Sequence, residues 1–297
     1  RGIAPVYGDK MFRNGIRMVD LLEPKVFSEK LNKGYKFNKR LIENVLDQTF
    51  DNKMEDILDT YVEYGKILKP YIADVSVELY NAHKEGKRIL FEGAQGISLD
   101  VDHGIYPFTT SSNTCTGQIS VGTGVSFNSI DRVIGVVKAY LSRVGESPLP
   151  SESKDSDGEL IREKGREYGT TTGRPRRIGW LDLVQIRQAV RINGLTEIAL
   201  TKLDVLNNIP EIPICTSYEL GDNEIKEMPA SLTQYREAKP IYKRLTGWGD
   251  LPENVWDHGY DALPTELKNY ITFIEDEVDC PVTIVSVGPQ RHETIIR

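Results

Sequence analysis

The chain has 297 residues, of which 39% are hydrophobic and 27% are charged, and its formal net charge is −7. A chain of this length can bury a large core, as one α/β domain or as one domain with appended helices. The acidic balance argues against a general nucleic-acid binder, since those proteins usually carry a basic excess. Few, widely spaced cysteines and the lack of a long apolar run predict a cytoplasmic protein without a membrane span.

The first third of the chain has the periodicity of helices. Residues 1–24 look irregular, whereas apolar residues recur at helical spacing through residues 26–86, with a break at "FDNK". The run "RILFE" (88–92) has the length and composition of a short buried strand. We therefore predict a helical subregion over 26–86 that is followed by the first strand.

Strands and helices alternate in the remainder of the chain. Apolar runs predict strands at 132–141, 197–201, 212–218 and 282–286, and helical spacing predicts helices at 180–193 and 264–278. This alternation predicts an α/β fold with a large, mainly parallel sheet flanked by helices. Ligand sites are then expected at the carboxyl ends of the strands.

The first candidate site is the polar stretch "FEGAQGISLDVDHGIYPFTTSSNT" (91–114), which follows the predicted strand 88–92. Gln95 lies between two glycines, and its amide can both donate to and accept from a purine edge. Thr110 adds a hydroxyl group. A turn whose hydroxyl and amide side chains cap its own backbone is an equally good interpretation of this stretch.

The second candidate is the loop "GTTTGRPRRIGW" (169–180), in which three threonines and three arginines lie within nine residues. A guanidinium group binds a carboxylate or a phosphate in a bidentate way, which lysine cannot reproduce. A solvated charged surface is the alternative, and we favour a ligand-binding loop.

The third candidate is "TKLD" (201–204), directly after the strand at 197–201. An Asp204 carboxylate can accept from both N1–H and N2–H₂ of guanine, and adenine would leave it unpaired. The turn "SVG" (286–288) at another strand end could complete the base pocket. Asp204 could instead cap the segment that follows it.

Other chemical signatures are missing from the sequence. It contains no G-x-x-x-x-G-K-[ST] phosphate loop, and its four histidines show no spacing typical of metal ligands.

Five segments together resemble the adenylosuccinate synthetase family. They are "RGIAPVYGDKMFRNGIR", "FEGAQG…DVDHGIYPFTTSSNT", "TTGRPRRIGWLD", "LTKLDVL" and "VTIVSVGPQRHETII", and they occur in the family's order along essentially the whole chain. The resemblance implies one synthetase-like domain over 1–297. It also implies a purine-biosynthesis ligase that uses GTP to join IMP and L-aspartate through a 6-phosphoryl-IMP intermediate.

The resemblance also implies roles for individual residues. It assigns IMP binding to Arg13, Gln95, Thr110, Val144, Gly145 and Arg174, with Thr110 at the 5′-phosphate. It assigns aspartate binding to Thr170, Thr171, Thr172, Gly173, Arg174 and Arg176. It assigns GTP binding to Arg176, Lys202, Leu203, Asp204, Ser286, Val287 and Gly288. Arg13 is expected to reach the site of a neighbouring subunit, which implies a homodimer.

This sequence departs from the family's pattern in three ways, of which the smallest is Ala4, where the family commonly has Gly. Val287 stands where the family's guanine-side turn usually has Thr, which puts a hydroxyl contact at 287 in doubt. The family's phosphate loop, its catalytic Asp and His and its Mg²⁺ ligands all precede the point where this chain starts, so we expect an N-terminally incomplete domain. We expect no catalytic residue and no metal ligand in these residues, and no activity from them alone.

Two alternatives stay open at this point. One is a related ligase that acts on another 6-oxopurine nucleotide in place of IMP. The other is a non-catalytic nucleotide-binding module, against which the retained "TTTGRPRR" loop argues.

Overall fold

The computed structural model describes residues 2–169 and 173–297. The chain divides into two compact units. The helical unit comprises Arg1–Glu92, Thr110–Asn113 and Ile119–Val125, and the sheet unit comprises Gly93–Thr109, Thr114–Gln118 and Ser126–Arg297. The prediction of one domain over 1–297 stays a prediction.

The described residues form these α-helices: α1 Ile3–Met11, α2 Pro24–Asn44, α3 Met54–Leu68, α4 Val75–Lys84, α5 Gly117–Thr123, α6 Ser156–Gly165, α7 Leu183–Asn193, α8 Leu232–Glu237 and α9 Thr265–Val278. The strands are β1 Ile134–Lys138, β2 Tyr140–Arg143, β3 Arg177–Trp180, β4 Glu197–Thr201, β5 Glu211–Leu220, β6 Asn223–Ile225, β7 Lys239–Thr246, β8 Val282–Ser286 and β9 Thr294–Ile296. No described helix combines the length and the apolar character that crossing a membrane requires.

The helices α2, α3 and α4 occupy much of the stretch whose periodicity predicted helices, and the helical subregion over 26–86 stays a prediction. Pro24 occupies the first turn of α2, where its missing N–H costs nothing. Asp74 caps α4 by accepting from the backbone N–H groups of Ser76 and Val77. Gly65 of α3 lies against the Leu21 carbonyl, and a Cβ atom there would approach that oxygen to 2.5 Å. Only glycine permits this close packing.

The irregular structure expected over 1–24 is wrong, because α1 and a 3₁₀ turn at Met18–Leu22 occupy much of it. Pro5 and Gly8 lower the helix propensity of this stretch, although a proline in the first turn is tolerated. None of the α1 residues is buried, so this helix adds nothing to the core.

The main sheet of the sheet unit has the strand order β1-β4-β8-β9. The β1–β4 and β4–β8 pairs are parallel, and β9 joins the edge of β8 antiparallel. The strands β4 and β8 confirm the predicted strands at 197–201 and 282–286, and α7 and α9 confirm the two predicted helices. Ile198 and Leu200 of β4 are fully buried against the core that includes Ile271 and Ile274 of α9. The mainly parallel sheet of the α/β fold is thus confirmed.

Two smaller antiparallel sheets accompany the main sheet. One pairs β2 with β3, and the other has the order β6-β5-β7, in which β5 contains the strand predicted at 212–218. The single strand predicted at 132–141 is divided at Ala139 into β1 and β2. Ala139 N–H donates to Thr201 O, and Ala139 O accepts from the Tyr270 hydroxyl. The apolar composition continues through this point, so the sequence did not show the break.

The buried strand predicted at 88–92 is wrong. These residues have no regular secondary structure, and Leu90 is 87% exposed. A strand requires a neighbouring strand for its backbone hydrogen bonds, and no described strand pairs with this stretch. The composition of "RILFE" therefore did not determine its conformation.

Candidate functional site

Three strand ends lie next to one another at the carboxyl edge of the main sheet. Lys138 at the end of β1 is in register with Thr201 at the end of β4. Leu200 of β4 is in register with Val285 of β8, so Lys202 and Ser286 leave neighbouring strands at the same edge. The parallel pairing thus brings together two segments that are more than 80 residues apart in the sequence.

In the segment Lys202–Asp204, the side chains of Lys202 and Asp204 are partly exposed at the edge of the sheet, and that of Leu203 is buried in the core. Lys202 has a left-handed backbone conformation, with φ of 66°, and its Nζ donates to Gly165 O at 2.9 Å. Leu203 is 0% exposed, so its side chain belongs to the core and only its backbone can meet a ligand. Burial is the main cause that raises the pKa of the half-buried Asp204, and the Glu293 carboxylate acts in the same direction. Hydrogen-bond donors from a ligand would stabilise such a carboxylate.

In the turn Ser286–Gly288, likewise, Ser286 is partly exposed and Val287 is buried. The Ser286 hydroxyl donates to Gly288 O at 3.1 Å, within the turn. Val287 is 5% exposed, and its N–H donates to Glu293 O at 3.0 Å. The Val287 side chain therefore packs in the core. The family usually has Thr at this position, but the backbone hydrogen bond of Val287 closes the turn without a side-chain hydroxyl.

The arginine-rich loop is closed at its base by main-chain hydrogen bonds. Gly169 N–H donates to Arg174 O at 2.8 Å, and Arg176 N–H donates to Glu167 O at 2.9 Å. Gly173 has a φ of 63°, a conformation that glycine adopts without strain. Arg174 is exposed. The predicted aspartate contacts Thr170, Thr171 and Thr172 lie outside the described residues.

The buried carboxylate of Glu167 pairs with the guanidinium group of Arg176. Glu167 Oε2 accepts from Arg176 Nη1 at 2.7 Å, and its Oε1 accepts from Lys138 Nζ at 2.6 Å and from the Tyr140 hydroxyl at 2.7 Å. Glu167 is 1% exposed, and burial alone would raise its pKa. The donors from Lys138, Tyr140 and Arg176 outweigh burial and hold the pKa of Glu167 at about 2. This carboxylate is ionised at neutral pH.

Sequence reasoning missed Glu167, Lys138 and Tyr140. Lys138 ends a strand of the main sheet, which is a position where ligand sites are expected. The prediction of one continuous strand over 132–141 hid that end. Glu167 lies just before the arginine-rich loop, and nothing in the local sequence shows that its side chain is buried beneath that loop.

Val144 and Gly145 follow directly after β2, whose last residue Arg143 is in register with Arg177 of β3. Val144 is 61% exposed, and Gly145 has a φ of 88°. The Gly145 carbonyl accepts from Arg177 Nη1 at 3.1 Å, and Arg177 makes a bidentate ion pair with Glu152. The β2–β3 pairing therefore places these two residues beside the arginine-rich loop.

Gln95 is exposed and has a left-handed backbone, with φ of 64°. The expectation that it follows a strand end is wrong, because residues 88–92 have no regular secondary structure and no strand precedes Gln95 within 2–94. Its loop is organised instead by Asp100, which is fully buried. Asp100 accepts from the backbone N–H groups of Asp102, His103, Thr114 and Cys115.

Arg13 and Thr110 belong to the helical unit. Arg13 is exposed and has a φ of 62°. The Thr110 hydroxyl lies 3.2 Å from the Ser112 hydroxyl, within hydrogen-bond distance. The IMP contacts expected of both residues stay predictions.

The described residues contain no group of three or more His, Cys, Asp or Glu side chains that could hold a metal ion. The Mg²⁺ ligands expected upstream of this chain stay a prediction, as does the expected upstream phosphate-loop segment.

The described residues define an α/β protein with a mainly parallel sheet, and the candidate ligand site lies at the carboxyl edge of that sheet. The family model described as adenylosuccinate synthetase matches residues 1–295. The adenylosuccinate synthetase of Caldanaerobacter subterraneus subsp. tengcongensis is 48% identical over 298 residues, which cover 100% of this chain and 68% of the relative. That of Geobacter sulfurreducens is 47% identical over 297 residues, with the same coverage.

A solved structure agrees with these sequence comparisons. The structure of fully ligated adenylosuccinate synthetase from Plasmodium falciparum matches with a TM-score of 0.92 and 34% identity, over 100% of this chain and 69% of that one. The chain belongs to the adenylosuccinate synthetase family, a family of GTP-dependent ligases of purine biosynthesis. The resemblance inferred from the five sequence segments is thereby confirmed.

Proposed function

We propose that this protein joins IMP and L-aspartate at the expense of GTP and yields adenylosuccinate, GDP and phosphate. Membership in the family supports this reaction. The structural observation that supports it most directly is that Lys202–Asp204 and Ser286 follow neighbouring strands at one edge of the sheet, and that the segment Gly165–Glu167 contacts both Lys202 and Arg176. A half-buried carboxylate, a hydroxyl and a guanidinium are the groups that a guanine nucleotide and a dicarboxylic amino acid require.

The reaction has two chemical steps. As N1 of IMP loses its proton, the 6-oxygen attacks the γ-phosphorus of GTP, so that GDP leaves and 6-phosphoryl-IMP forms. The aspartate amine then attacks C6, the C6–O bond breaks with its electron pair going to the departing phosphate, and the amine loses a proton. Both steps develop negative charge on phosphoryl oxygens, which positioned arginines stabilise.

In this proposal the strand-end residues select the nucleotide. The Asp204 carboxylate accepts from guanine N1–H and N2–H₂. The base is bordered by Lys202, Leu203, Ser286, Val287 and Gly288. Leu203 and Val287 contribute through their backbones, since their side chains are buried. ATP would leave the Asp204 carboxylate without donors in this arrangement, and an unpaired buried polar group is a strong means of rejection.

The arginine-rich loop binds the amino acid in this proposal. Arg174 forms a bidentate pair with a carboxylate of aspartate, beside Gly173 and the hydroxyls of Thr170, Thr171 and Thr172. Arg176 contacts both aspartate and GTP from its position above Glu167. An arginine fork matches a carboxylate geometrically, and lysine offers only a point charge.

IMP is bound in this proposal by Gln95, Thr110, Val144, Gly145 and Arg174, and by Arg13 of the neighbouring subunit in a cytoplasmic homodimer. Mg²⁺ would accompany GTP and neutralise phosphate charge. We assign none of the described residues to the ion; they contain no group of three or more His, Cys, Asp or Glu side chains that could hold a metal.

The test is a GTPase assay on the intact protein, with GDP and adenylosuccinate quantified separately. The proposal requires that GDP release depends on both IMP and aspartate and equals the adenylosuccinate formed. Release of GDP without IMP would contradict it. Turnover with another 6-oxopurine nucleotide, such as GMP, in place of IMP would favour the related ligase.

A further inference from the structure

Glu167 contacts Arg176 through both its side chain and its backbone. Its Oε2 accepts from Arg176 Nη1 at 2.7 Å, and its carbonyl accepts from Arg176 N–H at 2.9 Å. A third contact comes from α6, where Arg162 Nε donates to Arg176 O at 2.9 Å. These three hydrogen bonds fix both the main chain of Arg176 and the direction of its guanidinium group.

The same short segment also holds Lys202. Gly165, two residues before Glu167, accepts from Lys202 Nζ through its carbonyl at 2.9 Å. A Cβ atom on Gly165 would lie 2.3 Å from the Tyr140 hydroxyl, so the segment can pack this closely only with glycine there. The segment Gly165–Glu167 thus contacts Arg176 of the arginine-rich loop and Lys202 of the strand end.

The charges around Glu167 do not cancel. Burial is the main cause that lowers the pKa of Lys138, and the nearby positive charges of Arg176 and Lys202 act in the same direction. Glu167 makes ion pairs with Lys138 and Arg176, and these two side chains keep about a third of their surface exposed, 33% and 30%. A single buried carboxylate therefore supports two cations that retain a surface toward solvent, which suits an anionic ligand.

We infer that Glu167 is a positioning residue, which orients the Arg176 guanidinium for its anionic ligands and links the arginine-rich loop to the strand end at Lys202. This inference rests on the proposed function. Glu167 does not touch substrate. It acts through Arg176, and it offsets the repulsion between Arg176 and Lys138.

The decisive variant is Glu167→Gln in the intact protein. A glutamine has one acceptor oxygen and an NH₂ group that would face either Arg176 or Lys138, so one cation loses its partner. We expect the KM for aspartate and for GTP to rise by about 10-fold or more, with the KM for IMP within about twofold of wild type. A purely structural role would lower the folded fraction and leave the three KM values of the folded enzyme unchanged.

Glu227→Gln is the matched control. Glu227 pairs with Arg191 in the same unit, and both side chains are well exposed. We expect no change in any KM from it. The double variant Glu167→Gln with Arg176→Lys should be little worse than Arg176→Lys alone, since two residues that act as a unit are not additive. Full additivity of the two changes would overturn the inference.

If Glu167→Gln does not fold, Glu167→Asp replaces it, because it keeps the charge and withdraws the carboxylate by one methylene. Unchanged KM values for aspartate and GTP in the folded variant overturn the inference. If wild type shows no IMP- and aspartate-dependent turnover, the proposed function fails, and calorimetric titration with GTP then decides the inference separately. Equal GTP affinity in wild type and variant would overturn it, and an affinity about 10-fold weaker in the variant would support it.

Discussion

Two regions of the sheet unit present polar side chains in different ways. The strand-end cluster, which we define as Lys138, Glu167, Arg176, Lys202 and Asp204, lies on or beside the ends of paired strands. The polar loop, residues 93–109, contains Gln95 and depends on the buried Asp100. In the cluster each cation is held by a carboxylate or a carbonyl of the same cluster or of α6. In the loop a buried carboxylate holds the backbone, and the exposed Gln95 lies several residues away.

The comparison shows that a polar surface can be preorganised by direct contacts or by a backbone anchor. Direct contacts fix the direction of a guanidinium or an ammonium group, which fits electrostatic roles. A backbone anchor fixes the path of the chain and leaves the side chains above it free to adapt. The variants below separate these two arrangements, in order of expected effect.

The largest effect is expected from Leu203→Ala, which removes core packing beneath the strand-end cluster. Leu203 is fully buried, so the change should lower the free energy of unfolding by about 2–5 kcal/mol. Urea denaturation measures this loss. Gln95→Ala in the exposed loop should change the free energy of unfolding by less than about 0.5 kcal/mol.

Leu203→Ala also tests whether the Leu203 side chain reads the nucleotide. At a temperature where the variant is folded, its preference for GTP over ATP should equal that of wild type. A changed preference would show that the side chain, rather than the backbone, meets the base.

The second effect concerns Asp100, the anchor of the polar loop. Burial raises the pKa of this carboxyl, but the backbone N–H groups of Thr114, Asp102, His103 and Cys115 outweigh burial, so its pKa lies below the usual range. The stabilisation is therefore complete above the unfolded pKa of about 4, and is lost as the pH falls through the lower folded value. Asp100→Asn should lower the free energy of unfolding by about 3 kcal/mol at pH 7.

The pH dependence distinguishes this charge effect from lost packing. Urea midpoints measured from pH 7 down to pH 2 should show the gap between wild type and Asp100→Asn shrinking below about pH 4. A gap that stays constant would mean that the carboxylate charge does not anchor the loop. Asp222→Asn, at the exposed turn between β5 and β6, is the control and should match wild type throughout.

Arg174→Lys tests the exposed arginine of the loop above the strand-end cluster. We expect kcat/KM for aspartate to fall by about 100-fold, because the bidentate fork is lost, with stability within about 0.5 kcal/mol of wild type. Steady-state kinetics measure kcat/KM for aspartate, and a thermal melt measures stability. Arg191→Lys, on the exposed surface of α7, is the control. Unchanged turnover with aspartate would remove Arg174 from the proposed site.

The smallest effect is expected from Asp204→Asn, in which one acceptor oxygen becomes a donor. The ratio of kcat/KM for GTP to that for ATP should fall by about 10-fold, since one pairing with guanine is lost. Competition between the two nucleotides in one assay measures this ratio. If the ratio is the same as in wild type, Asp204 does not read guanine. Asp222→Asn again provides the control.

Local patterns in the sequence determined much of this protein. The helical periodicity of 26–86 and the apolar runs at 197–201 and 282–286 specified α2 to α4, β4 and β8, because a side-chain period depends only on neighbours along the chain. The five ordered segments specified the family. The α/β class followed from the alternation of elements.

Tertiary structure decided the rest, since those features depend on partners that are distant in sequence. The run "RILFE" has a strand's composition but no described partner strand, and the run at 132–141 breaks where Ala139 O accepts from Tyr270, 131 residues away. Glu167 became recognisable only when folding placed it beneath Lys138 and Arg176, because burial and charge pairing belong to the assembled core. The periodicity of apolar residues along a short segment does not indicate a hydrogen bond between residues that are distant in the sequence.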